Sequence, residues 1–258
     1  MIEIKELSKN FAGVQALDKI NLSIHDKSIF GFVGPNGAGK STTINILTGI
    51  VPPSEGSVKI LGYDLKENPV EIKRRIGVIP ERLALFDGLT GEEHLTFVGK
   101  IYGLEQKILT NRINELLYFF ELTSARDRLI ETYSQGMRKK LAFASAIIHA
   151  PDILFLDEPF ENVDPIFRKK MRDILIRMRN NGKTILITSH ALIELEDICD
   201  EVAIINKGKI VYQSRTEDIR KKIKDEISRE TYQSLEEIFL DVVGGSDEEE
   251  KDNKLSWL

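Results

Sequence analysis

Apolar and polar positions alternate at the start of the chain, with Ile2 and Ile4 followed later by Ile20, Leu22 and Ile24 and polar residues between them. A period of two predicts half-buried strands, which we read as antiparallel. Ile29-Phe30-Gly31-Phe32-Val33 is instead a short unbroken apolar run, the pattern of a strand covered on both faces. Ile153-Leu154-Phe155-Leu156 and Thr184-Ile185-Leu186-Ile187-Thr188 have the same character. Val202 to Ile205 and Ile210 to Tyr212 predict two later strands, joined through the hairpin turn Asn206-Lys207-Gly208-Lys209.

Helical periodicity lies between these runs. Ser41 to Leu47 follows a glycine-rich loop, and Phe167 to Met178 is amphipathic and ends near Gly182. The stretch from about Glu92 to Ala150 is largely helical in pattern, with Leu116, Phe119, Phe120 and Leu122 as apolar contacts. Strands alternating with helices predict a parallel sheet with crossover helices. The helical stretch over residues 86–150 interrupts that alternation and is read as an inserted subdomain. Residues 1–85 and 151–215 then form the core with its antiparallel β subdomain. Residues 216–243 read as a charged helical extension, and 244–258, with its acidic run from Ser246 to Lys254, as a solvated, disordered tail.

The 258 residues are 41% hydrophobic and 30% charged, which suits a globular protein with a substantial core. A formal net charge of −5 gives no global attraction to nucleic acid, and no such partner is expected. No apolar run approaches the roughly 20 residues that cross a bilayer. Met1-Ile2-Glu3-Ile4-Lys5 lacks the form of a secretory signal. The single cysteine, Cys199, excludes an intrachain disulfide, and its apolar neighbours suggest a packed thiol. These features read as cytoplasmic, with any membrane role passing through a partner.

Gly34-Pro35-Asn36-Gly37-Ala38-Gly39-Lys40-Ser41 fits G-x-x-x-x-G-K-[ST] between a buried-type strand and a helix, the context the motif requires. Phosphate oxygens need several converging N–H donors, which side chains would block; glycine at 34, 37 and 39 keeps the approach open. The helix N-terminus adds partial positive charge. Lys40 can reach the β- and γ-phosphates and the Ser41 hydroxyl can bind Mg²⁺, with Thr42 next in the same turn. This predicts nucleotide binding without deciding the reaction.

Asp157 and Glu158 close the strand at 153–156. Asp157 is placed to orient Mg²⁺ opposite Ser41. Glu158 can polarise a water that attacks the γ-phosphate, and its alternative reading is a solvated loop acid. Phosphoryl transfer demands positioning and charge neutralisation above all.

Tyr133-Ser134-Gln135-Gly136-Met137-Arg138, between the phosphate loop and Asp157, resembles the signature of ATP-binding-cassette (ABC) proteins, most often Leu-Ser-Gly-Gly-Gln. Ser134 can cap the following helix, and Gly136 can let backbone approach a phosphate. Further elements resemble the family in order. Phe11 stands where an aromatic stacks on adenine, with a core phenylalanine as the competing reading. Asn162-Val163-Asp164-Pro165 resembles the loop that crosses between subunits, and Thr188-Ser189-His190 the switch histidine. The resemblance spans about residues 1–240. It implies an α/β P-loop NTPase fold with a RecA-like mixed sheet, an antiparallel β subdomain and an inserted α-helical signature subdomain. It also implies ATP and Mg²⁺ as ligands, with catalysis by Glu158, His190 and Lys40. ATP would lie between the phosphate loop of one chain and Ser134, Gly136 and Asp164 of a second copy or a paralogous cassette. An integral membrane permease would be the other partner, placing the chain on the inner face of the membrane.

Two departures are informative. Glu81, after Ile76-Gly77-Val78-Ile79-Pro80, stands where the family has a glutamine that completes the Mg²⁺ shell. Two readings stand: a carboxylate metal ligand, or a side chain turned to solvent or to Arg82. Tyr-Ser-x-Gly-Met, together with Ser234-Leu235-Glu236-Glu237-Ile238-Phe239-Leu240, resembles the exporters of the ABC-2 type. An iron–sulfur assembly subunit of the same superfamily is the non-transport alternative. A P-loop kinase would not require Ser134, Glu158 and His190 together.

Overall fold

The structure, a computed structural model, describes residues 1–191 and 194–218. The C-terminal extension beyond Asp218 and the acidic tail lie outside the described residues. Among the described residues no helix is long and apolar enough to cross a membrane.

The alternating N-terminal pattern forms β1 (Ile2–Phe11) and β2 (Val14–Ile24), paired antiparallel with Ile2 opposite Ile24 and Ile4 opposite Leu22. β3 is the doubly covered run Ile29–Val33. Helix α1 (Lys40–Leu47) follows the glycine-rich loop. Strands β4 (Glu55–Ile60) and β5 (Tyr63–Asp64) extend the antiparallel sheet in the order β2-β1-β4-β5. The short helix α2 (Pro69–Lys73) leads to β6 (Ile76–Ile79). β4, β5 and β6 were not expected as strands; β4 carries only Val58 and Ile60 as apolar positions, and its partner β1 lies far away in sequence.

The second sheet has the order β10-β9-β3-β8-β7-β6. Its later members are β7 (Ile153–Leu156), β8 (Thr184–Ser189), β9 (Glu201–Asn206) and β10 (Lys209–Arg215). All neighbours are parallel except the β9–β10 hairpin, so the sheet is mixed, as expected. The hairpin turns through Lys207 (φ 47°) and Gly208 (φ 77°), consistent with the paired positive φ that a two-residue I′ turn needs.

The unbroken apolar runs follow from a sheet buried on both sides. Phe30, Phe32, Phe155, Leu186 and Ile205 share one core with the antiparallel sheet and α1. Ile29, Val33, Leu154, Leu156, Ile185 and Ile187 face a second core filled by helices. Those helices are α3 (Gly91–Ile101), α4 (Gln106–Phe119), α5 (Gln135–Ile147) and α6 (Pro165–Asn180). Thr90 and Glu93 form a reciprocal capping box at the start of α3. Leu95, Leu109, Ile113, Leu117, Leu141 and Phe143 bury the apolar faces of α3, α4 and α5.

The free edge of β6 is covered. Tyr102 and His149 stack face to face at 3.6 Å, and His149 Nε2 lies 3.0 Å from the Ile76 carbonyl. Burial holds this imidazole down at about 4. Cys199 is buried against Gly31, where a side chain would stand 3.1 Å from its sulfur, and burial pushes the thiol up, as expected of a packed cysteine.

Candidate nucleotide site

The loop after β3 turns sharply into α1. Gly39 caps that helix in the left-handed region (φ 114°), and Gly37 also has positive φ (80°) with open space beside it. The three glycines have different causes. A side chain at Gly34 would meet the Ile205 carbonyl at 2.3 Å, and one at Gly39 the Ala16 carbonyl at 2.9 Å. Close packing against β9 and β2 therefore demands Gly34 and Gly39, whereas a side chain at Gly37 would meet nothing.

Lys40 is 5% exposed. Its ammonium donates to the carbonyls of Gly34 (2.6 Å) and Pro35 (3.2 Å). It also lies 3.2 Å from Glu158 Oε1, yet off the line of a hydrogen bond, and that oxygen has no other partner. Glu158 Oε2 accepts from the His190 backbone N–H at 3.3 Å and lies 3.1 Å from His190 Nδ1. Lys40, Glu158 and His190 thus form one chain of contacts, with Glu158 in the middle and 9% exposed.

Strand register brings Asp157 beside Thr188. The Thr188 hydroxyl donates to Asp157 Oδ1 (2.6 Å) and accepts from the Glu158 backbone N–H (3.0 Å). One buried hydroxyl therefore orients both acids. Its role was missed because Thr188 closes an aliphatic strand; the legible signal was the polar pair Thr188-Ser189 between that run and His190.

A cleft of about 350 Å³ opens over this arrangement. Asn36, Gly37, Gly39, Lys40, Ser41, Thr42, Glu81, Glu158 and His190 line it, joined by Ala16 and Glu161, which the sequence did not single out. Gly34 and Ala38 are buried beneath it. The exposed Glu81 turns to the cleft rather than away: its Oε2 accepts from the Ser41 hydroxyl over a long 3.5 Å. Hydroxyl and carboxylate oxygens are hard ligands. Among the described residues no group of three or more His, Cys, Asp or Glu side chains is gathered for a metal. Such a donor set fits Mg²⁺, which is held by one or two carboxylates and completes its shell with phosphate oxygens and water.

Other expected residues lie outside the cleft. Phe11 is 44% exposed at the tip of the β1–β2 hairpin, with the Lys9 ammonium 4.8 Å from its ring centre. Ser134 caps α5 by accepting from the Met137 N–H at 3.3 Å, and Gly136 has open space where a side chain would be. Asp164 caps α6 by accepting from the Phe167 N–H at 2.9 Å.

Residues 17–161 match the family described as ABC transporter. The chain belongs to the ABC transporter family. It is 36% identical over 88% of its length to the daunorubicin/doxorubicin resistance ATP-binding protein DrrA of Streptomyces peucetius, covering 69% of that protein. It is 36% identical over 86% of its length to the bacitracin transport ATP-binding protein BcrA of Bacillus licheniformis, covering 72% of it. Identity to the ABC transporter ATP-binding protein NatA of Bacillus subtilis is 32%, over 88% of this chain and 94% of NatA. A solved ATP-binding subunit of an ABC transporter superposes with a TM-score of 0.85 at 29% identity, covering 94% of this chain and 99% of that one. A dimeric post-hydrolysis cassette with ADP and Pi shares the fold at 23% identity (TM-score 0.78), over 84% of this chain and 99% of its own. This ABC protein is an ATP-binding, ATP-hydrolysing transporter subunit, and the iron–sulfur assembly alternative is not favoured by these relatives.

Proposed function

We propose that this cassette powers export through a separate integral membrane subunit, hydrolysing ATP held between two cassettes joined head to tail. The central observation is Glu158, held between Lys40 and His190 at the end of β7. When nucleotide enters, Lys40 exchanges the Gly34 and Pro35 carbonyls for the β- and γ-phosphates, which frees Glu158 to act on water. Glu158 accepts a proton from the attacking water, and His190 holds the γ-phosphate in line. Ser41, Asp157 and Glu81 are the residues that would hold Mg²⁺, whose charge offsets that of the phosphates. Phe11 stacks on the base.

The second half of each site comes from a partner cassette, a copy of this chain or a paralogue. Ser134, Gly136 and Asp164 lie outside the cleft of their own chain; Ser134 and Asp164 cap helix N-termini and Gly136 lies in the first turn of α5, where anions are favoured. Only the closed pair makes these contacts, so ATP shifts the open–closed equilibrium and hydrolysis reverses the shift. A face for the membrane subunit is supported by Phe86, Phe97 and Ile101, which are exposed near the Glu81 loop. Phe86 and Phe97 pack edge to face at 5.1 Å. On this reading the chain sits on the inner face of the membrane. The relatives named for drug and antibiotic resistance favour export of such compounds.

Glu158→Gln tests the reading. The variant is expected to bind ATP, to form a dimer with ATP in light scattering or sedimentation, and to release phosphate at least a hundredfold more slowly than the wild type. Turnover at the wild-type rate would remove Glu158 from the mechanism.

A further inference from the structure

The turn that follows Glu158 begins on a strained residue. Glu158 (φ 48°) is in the left-handed region that side chains disfavour, and Asn162 (φ 52°) closes the turn in the same region, which asparagine tolerates better. Such a turn keeps its shape only when its surroundings hold it. Within it the Glu161 N–H donates to the Glu158 carbonyl at 3.3 Å. Two cations grip its outward carbonyls. Arg168, from α6, donates to the Phe160 carbonyl at 3.1 Å. The Lys139 ammonium donates to the Glu161 carbonyl.

Lys139 belongs to α5, the helix that Ser134 opens. Five residues separate the two, about 7.5 Å along the axis. Its stem lines a small cavity shared with Glu81, Asp157 and Glu158, walled by Phe143 and Met171. Burial pushes the ammonium below the usual lysine range, and the Glu161 carboxylate opposes that shift. A desolvated ammonium aimed at one main-chain oxygen of a strained turn restrains that turn firmly.

We infer that Lys139 is a positioning residue that locks the Glu158 turn to the Ser134 helix, so that the acid of one ATP site and the phosphate-capping serine offered to the other move as one unit. The inference rests on the composite site proposed above. Within one chain, Ser134 serves the partner's nucleotide and Glu158 serves its own. A rigid link between them makes engagement of the second nucleotide set the geometry of the first acid. Helix α5 supplies the rigid element, and Lys139 ties it to this turn by a side-chain hydrogen bond.

The test uses the full chain and three proteins: wild type, Lys139→Met, which keeps the apolar stem, and Lys139→Arg, which keeps a donor. Steady-state phosphate release gives kcat, KM and the Hill coefficient for ATP, and a fluorescent ATP analogue gives affinity for the resting chain. For Lys139→Met we expect kcat to fall ten- to a hundredfold, analogue affinity to stay within twofold, and the Hill coefficient to drop toward one. Lys139→Arg should recover at least half of the wild-type kcat. Equal kcat in Lys139→Met and wild type would overturn the inference, as would failure of a folded Lys139→Arg to recover activity. A parallel loss of analogue affinity would also overturn it, because Lys139 would then support the fold of the site rather than its geometry. Absence of wild-type turnover above that of Glu158→Gln would mark failure of the underlying reading instead.

Discussion

Replacing Thr188 by valine deletes one hydroxyl and preserves volume. That hydroxyl is fully buried and makes two bonds, one to the Asp157 carboxylate and one from the Glu158 amide. A buried hydrogen bond to a charged group contributes about 1.5–3 kcal/mol, and an amide left unpaired costs about 1–3 kcal/mol. The two losses share a site, so relaxation of the turn and entry of water relieve part of each. We expect Thr188→Val to destabilise the chain by about 2–4 kcal/mol, a large share of the roughly 5–15 kcal/mol typical of a domain. Thr188→Ser keeps the hydroxyl and loses one methyl, for about 1 kcal/mol. Urea unfolding followed by circular dichroism, analysed with a common m-value, measures both. Phosphate release should fall further in the valine variant than in the serine variant, because both acids lose their shared anchor. A valine variant within 1 kcal/mol of wild type would refute the assignment of this hydroxyl as the joint between β7 and β8.

Three further outcomes can be checked. Gly136→Ala adds a methyl into open space early in α5, so stability should hold or rise by up to about 1 kcal/mol while ATP-driven dimerisation weakens. Lost stability would show that the glycine serves its own fold. Glu81→Gln removes one negative charge beside Ser41, and the Mg²⁺ concentration for half-maximal ATPase activity should rise several-fold. An unchanged profile would set aside a metal role for Glu81. His149 is held neutral by burial at about 4, against about 6.5 in an unfolded chain. Because the depressed value favours the neutral ring, its contribution is complete above pH 6.5 and is lost as pH falls from there toward 4. The shift sets an upper bound of about 3 kcal/mol, which partial solvent access reduces to about half. Chemical denaturation of His149→Phe across this window should show a shallower fall in stability than wild type, and parallel curves would refute the assignment.

Legibility in the sequence followed the range of the interactions involved. β3, β7 and β8 were visible because a sheet packed on both faces needs unbroken apolar runs, and β1 and β2 because one face of each is wet. β4 and β6 were not, since Val58 and Ile60, or a four-residue stretch containing Gly77, gain their meaning from strands distant in sequence. The candidate site divides the same way. Lys40, Ser41, Asp157 and Glu158 lie in contiguous motifs whose chemistry can be read in place. Thr188, Glu161 and Lys139 acquire roles only through tertiary register, which brings a strand end, a turn and a helix together. The glycines were read correctly as special but for one shared reason, where Gly34 and Gly39 answer to neighbouring carbonyls.

The sequestered sulfur of Cys199 has a practical consequence. It is the chain's one cysteine, buried against β3 and ill-disposed to ionise, so thiol-directed reagents should react only slowly with the native protein. An engineered cysteine at an outlying spot such as Tyr118, 81% exposed on α4, would then be the single labelling point. Paired spin labels or fluorophores at that point would turn the approach and separation of two copies into a distance readable in real time.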